Sequence, residues 1–149
     1  VLAALVALAA IVAGCGGGDD SDTTGGDSLT KAEFIKQGDA ICEKANDQSE
    51  AEAEKFAKEN DFKLERPTKE QLEEAVTEIL VPNFNRQVED LKALGVPEGD
   101  EEQVEEMIGS LETAADEIEG DPSLVFEEQV LKEPAQLAED YGFKVCGKE

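Results

Sequence analysis

The chain has 149 residues, 37 of them acidic and 13 basic, for a formal net charge of −24, with one tyrosine, one methionine, and no tryptophan or histidine. So acidic a surface repels nucleic acid and anionic lipid, and no nucleic-acid partner is expected; cations and basic proteins are the classes it attracts. The lack of histidine removes the commonest general base and the commonest transition-metal ligand.

From Val1 to Ala13 the chain is uninterrupted apolar sequence that stops at Gly14-Cys15-Gly16-Gly17-Gly18. A membrane span needs about 20 apolar residues. A signal-peptide core needs about 7–15, with small residues at the cleavage site. Val12-Ala13-Gly14-Cys15 therefore looks like a bacterial lipoprotein signal, with residues 1–14 as the signal and Cys15 as the lipidation site. The other reading is an ordinary secretory signal in which Cys15 is incidental. Acyl chains on Cys15 would anchor the protein to the membrane, since each buried methylene contributes about 0.8 kcal/mol. Residues 15–28 continue as GGGDDSDTTGGDS after the cysteine, with no apolar residue to bury, and read as a flexible tether. Asp20-Ser21-Asp22-Thr23-Thr24-Gly25 starts like a calcium-binding loop, but Lys31 stands where the closing Glu is required, which rejects it.

Residues 29–149 read as one helical domain. Thr30-Lys31-Ala32-Glu33 has the pattern of a capping box, and Phe34, Ile35, Ile41, Cys42 and Ala45 follow on one helical face, with the helix expected through Phe56. Gly38 marks either a weak point or a close helix approach. Thr68-Lys69-Glu70-Gln71 offers a second capping box. The stripe Leu72, Ala75, Val76, Ile79 and Leu80 then resumes past Pro82 with Phe84, Val88, Leu91 and Leu94, which predicts one helix kinked at the proline. Gly95-Val96-Pro97 is a stop signal. Asp100 is expected to cap a third helix, whose stripe is Val104, Met107, Ile108, Leu111, Ala114, Ala115 and Ile118. Gly120-Asp121-Pro122 separates it from a fourth, with a second break or kink expected at Glu133-Pro134 and an end at Gly142. The fold class expected is all-α, a four-helix bundle with kinked helices.

Candidate chemistry is sparse. Glu101-Glu102, Glu105-Glu106 and Glu127-Glu128 sit in early helical turns, where negative charge suits the helix dipole. A di-metal carboxylate bundle would need Glu-x-x-His on two helices. Ser49, Ser110 and Ser123 have no histidine to activate them. Tyr141 reads as a core-edge aromatic whose hydroxyl reaches solvent. No catalytic residue, no metal ligand and no cofactor is expected. With Cys15 lipidated, Cys42 and Cys146 remain as a pair outside the cytoplasm and read as a disulfide; free thiols are the alternative.

The segments Ala32-Glu33-Phe34-Ile35 with Asp39-Ala40-Ile41-Cys42, on to Asn46, and Tyr141-Gly142-Phe143-Lys144-Val145-Cys146-Gly147 resemble a group of small exported proteins and lipoproteins of actinobacteria. That resemblance implies a helical fold, the Cys42–Cys146 bridge and an extracytoplasmic location. It carries over no catalytic residue. The expected function is a non-enzymatic, lipid-anchored binding or interaction module of the cell envelope. It would be joined to the membrane through Cys15, with an envelope protein or a cation as partner. An acidic lipoprotein that captures metal ions or solutes is the alternative, and an envelope hydrolase using two carboxylates is a third reading.

Overall fold

Thr30 opens the first helix through a complete capping box. Its hydroxyl accepts from the Glu33 N–H at 3.3 Å, and the Glu33 carboxylate accepts from the Thr30 N–H at 3.0 Å. The computed structural model describes residues 29–147. The expected signal at 1–14, the lipidation site Cys15 and the tether 15–28 lie outside the described residues. Helix α1 spans Lys31–Glu59, one turn beyond the expected end at Phe56, and the Asn60 amide caps it by donating to the Phe56 carbonyl.

A second capping box, Thr68 with Gln71, starts α2 (Lys69–Ala75). A π segment, Val76–Leu80, leads without a break into α3 (Val81–Ala93), so residues 69–93 are one continuous helical run, as the sequence predicts, with the irregularity in the turn before Pro82. The π turn has a local cause. In a regular α-helix the Pro82 ring would strike the carbonyl of Glu78. Widening the preceding turn, with the Val81 N–H bonding to the Val76 carbonyl, accommodates the ring without ending the helix.

Helix α4 (Glu101–Gly120) packs against both α3 and α5 (Glu128–Tyr141), and α1 lies mainly across α3 and the π segment. Between α4 and α5 runs a short 3₁₀ turn, Pro122–Phe126, fixed at its start by Asp121 accepting from the Ser123 N–H and hydroxyl at 3.0 and 2.6 Å. Of the break or kink expected at Glu133-Pro134, the break does not occur. Pro134 lies inside α5, and the chain turns instead at Glu127, whose backbone is extended. The 3₁₀ turn already redirects the chain before α5 starts, and Leu124 and Val125 anchor that turn on Val76, Val81 and Ile118. Among the described residues there is no strand, and no helix is long and apolar enough to cross a membrane.

The buried side chains form two clusters. Phe34, Val88, Leu91, Val104, Met107, Ile108, Ala138, Tyr141 and Phe143 make the larger one. Val76, Val81 and Ile118, with Phe84, Val130 and Leu131 packed on them, make the smaller. Within the larger, Phe34, Tyr141 and Phe143 meet pairwise at ring-centroid distances of 5.7–5.9 Å, the Phe34 contacts being edge-to-face. On α3 the two clusters are separated by Asn83 and Gln87, one turn apart and both buried.

Candidate functional site

Cys42 on α1 and Cys146 in the tail form the expected disulfide, with Cα atoms 5.3 Å apart across 104 residues of sequence. The tail reaches α1 because of how α5 ends. Gly142 takes φ +121°, a backbone conformation that disfavours any side chain, and the Phe143 N–H turns back to the Ala138 carbonyl at 3.0 Å. Phe143 then lies over Gly38. A Cβ at Gly38 would overlap the Phe143 ring and stand 3.1 Å from Leu91 Cδ2, so the close-approach reading of this glycine holds.

Asp39 fastens the segment that follows. Its Oδ1 accepts from the backbone N–H groups of Lys144, Val145 and Cys146 at 2.9, 2.8 and 3.3 Å, and its Oδ2 from Lys144 at 3.2 Å. Three successive amides turned toward one point make a small anion-binding nest, here filled by the protein's own carboxylate.

The tail so fixed closes one wall of a cavity of about 220 Å³ between the two core clusters. From α1 come Cys42 and Asn46, and from α3 Phe84, Gln87 and Leu91. Helix α4 gives Met107, Ile108 and Leu111, and α5 gives Leu131, Pro134, Ala135 and Ala138. Phe143, Val145, Cys146 and Gly147 complete the lining, which is mostly apolar. Cys42 on α1 and Cys146 in the tail thus both line this wall, joined by the disulfide.

The polar contribution comes chiefly from a relay of amides. Asn83, 2% exposed, donates from Nδ2 to the Ala45 carbonyl at 2.9 Å. Gln87, 8% exposed, donates from Nε2 to Asn83 Oδ1 at 2.7 Å. The Ala45 carbonyl can only accept, so it fixes the orientation of the whole chain of amides. Neither residue stands out in the sequence as a site. The available signal was phase, because 76, 83, 87 and 91 continue one helical face on which two amides interrupt a run of Val and Leu.

The carboxylates do not converge. Among the described residues no group of three cysteine or acidic side chains is placed to hold an ion. Glu101 accepts from the Gly99 N–H at 3.0 Å, and its carboxyl is held below the usual range by its own backbone N–H and by that of Gly99. Asp121 is lowered by the Ser123 hydroxyl and N–H, and Glu33 by the Thr30 hydroxyl and N–H. These acidic groups serve turns and caps. Ser123 is occupied with Asp121, while Ser49 and Ser110 are half-buried on α1 and α4.

Two expectations about Asp100 and Tyr141 are corrected together. Asp100 precedes α4 but makes no side-chain cap. Its carboxylate instead accepts from the Tyr141 hydroxyl at 2.8 Å and lies 3.8 Å from the Lys31 ammonium, which also stands 3.9 Å from the centre of the Tyr141 ring. Tyr141 is buried, and its hydroxyl meets a carboxylate rather than solvent. Burial, then the hydrogen bond to Asp100, raises the phenol above its ordinary pKa. Comparison with protein-family models, curated proteins and solved structures finds no match to this chain.

Proposed function

We propose that the chain is a non-enzymatic binding module of the cell envelope, held by lipid on Cys15 at the outer face of the cytoplasmic membrane, that takes a small, mainly apolar molecule into the cavity between its helices. The observation that carries the binding half of this reading is the cavity itself: about 220 Å³, walled mainly by Leu, Ile, Met, Phe and Ala side chains, with one buried amide pair at its edge. Ligand sites of small bundles have this make-up, a concave apolar wall with a few placed polar groups. The anchoring half rests on Val12-Ala13-Gly14-Cys15 and the polar tether after it.

Mass spectrometry of the membrane-extracted protein tests the anchor: a lipid adduct on Cys15 is expected, and an unmodified Cys15 on protein released into the medium contradicts it. Thermal unfolding of the oxidised protein against a panel of small apolar compounds tests the cavity. A compound that binds only the folded state adds about 2.7 kcal/mol at a hundredfold excess over Kd. A selective rise in Tm is expected, and a flat response to the whole panel contradicts the reading.

A further inference from the structure

We propose that the cavity selects an amphiphile with a short aliphatic body and a hydrogen-bond-donating head, neutral or cationic, seated against Gln87 Oε1. This rests on the reading of the cavity as a binding site and adds the chemistry of its ligand. The orientation of the amides is set at Ala45. Its carbonyl accepts only, so Asn83 must turn its NH₂ toward it, which leaves Asn83 Oδ1 facing α3's next turn. Gln87 must then turn its own NH₂ toward Asn83, as the 2.7 Å contact records. What Gln87 has left beyond that bond is a carbonyl oxygen without a partner and the second N–H of a nitrogen already engaged with Asn83. Every fully buried side-chain polar atom of the described residues has a hydrogen-bond partner. No donor among those residues meets Gln87 Oε1, so that oxygen is not sealed in the core, and the open space that Gln87 lines is the cavity.

An unpaired acceptor on a mostly apolar wall, whose other amide, Asn46, is exposed to solvent, selects for a donor, because a ligand without one strips the oxygen of water and returns nothing. A carboxylate or phosphate head would set oxygen against oxygen, within a chain of net charge −24. Hydroxyl and ammonium heads meet both conditions. Size follows from volume: a dry cavity of about 150 Å³ holds benzene, so one of 220 Å³ has room for about nine non-hydrogen atoms.

The test is isothermal titration of the oxidised full chain carrying Cys15→Ser, so that neither lipid nor detergent competes. The compounds used are octan-1-ol, octylamine, heptyl methyl ether and octanoate. The ether matches octanol in size and lacks only the donor. Octanol and octylamine are expected to bind about tenfold tighter than the ether, and tighter still than octanoate. In Gln87→Met the octanol-to-ether ratio should fall to near one while ether binding persists. If octanol and the ether bind alike in the unsubstituted cavity, or octanoate binds best, the head-group assignment is overturned and the binding site stands. If none of the four binds, the cavity reading falls with it. The comparison of ligands on the unsubstituted protein decides the matter even if Gln87→Met does not fold.

Discussion

Asp39 Oδ1 stands 2.8 Å from the backbone nitrogen of Val145, one helical turn from the cysteine that ties the same tail to the same helix. The tail is therefore held twice, covalently through Cys42 and by a carboxylate seated in a nest of three amides. Removing that carboxylate strands amides that are partly shielded from water. Asp39→Ala should cost about 2–3 kcal/mol in urea unfolding of the oxidised protein, and Asp39→Asn, which keeps one acceptor oxygen, about half as much. A change in the midpoint too small to measure for Asp39→Ala would show that the nest contributes nothing.

Gly38 and Gly109 make a matched pair, both inside helices. A methyl group at Gly38 runs into Phe143 and Leu91, whereas one at Gly109 meets nothing within 4 Å. Gly38→Ala should destabilise by about 1–2 kcal/mol, the overpacking outweighing the gain in helix propensity. Gly109→Ala should stabilise by about 0.5–1 kcal/mol. Thermal unfolding of both variants beside the parent checks the sign of each; the same sign for both contradicts the packing described.

Tyr141 is the only tyrosine, so the near-ultraviolet phenolate signal reports one site. Its folded-state pKa is raised by burial and by the Asp100 hydrogen bond. The unfolded chain ionises it near the ordinary value of about 10. Its contribution to stability is thus complete below about pH 10 and is lost as pH climbs above that toward the folded-state value. Phenolate absorbance should appear together with loss of helical circular dichroism in an alkaline titration. Ionisation near pH 10 with helicity intact contradicts the Tyr141–Asp100 contact.

The disulfide closes a loop spanning 104 residues of sequence. Reduction should lower stability by about 4–5 kcal/mol on the chain-entropy account. It should also weaken binding of octan-1-ol, because Val145, Cys146 and Gly147 form part of the cavity wall. Unfolding and titration of the reduced protein at neutral pH check both effects. Unchanged affinity after reduction would mean that the tail does not shape the site.

Local signals were readable where local chemistry decides. Both capping boxes, the stop at Gly95, the glycine end of α5 and the cysteine pairing all follow from neighbouring residues or from residue counts, and the structure contains each of them. Where a distant partner decides, the sequence is mute. Asp39 is one acidic residue among 37, and its acceptors' partners lie more than a hundred positions away. Asp100 has the identity and position of a helix cap, but Tyr141 on another helix claims its carboxylate. Pro134 reads as either a break or a kink, and what decides is that the chain has already turned at Glu127, so the proline stays within α5, buried on the cavity wall. For Asn83 and Gln87 the helical phase places two amides on the buried face, but only the arrival of the Ala45 carbonyl from α1 shows what Asn83 bonds to.

The single methionine, Met107, is buried on the cavity wall, which gives the central claim a direct reporter. With the methionine methyl carbon labelled, the nuclear magnetic resonance spectrum of the oxidised Cys15→Ser protein should hold one methionine methyl peak. Titration with octan-1-ol should move that peak saturably, with a Kd matching calorimetry, and the shift should be much reduced by Leu131→Phe, which narrows the cavity. A Met107 methyl resonance that stays in place at saturating octanol would contradict the assignment of this cavity as a binding site.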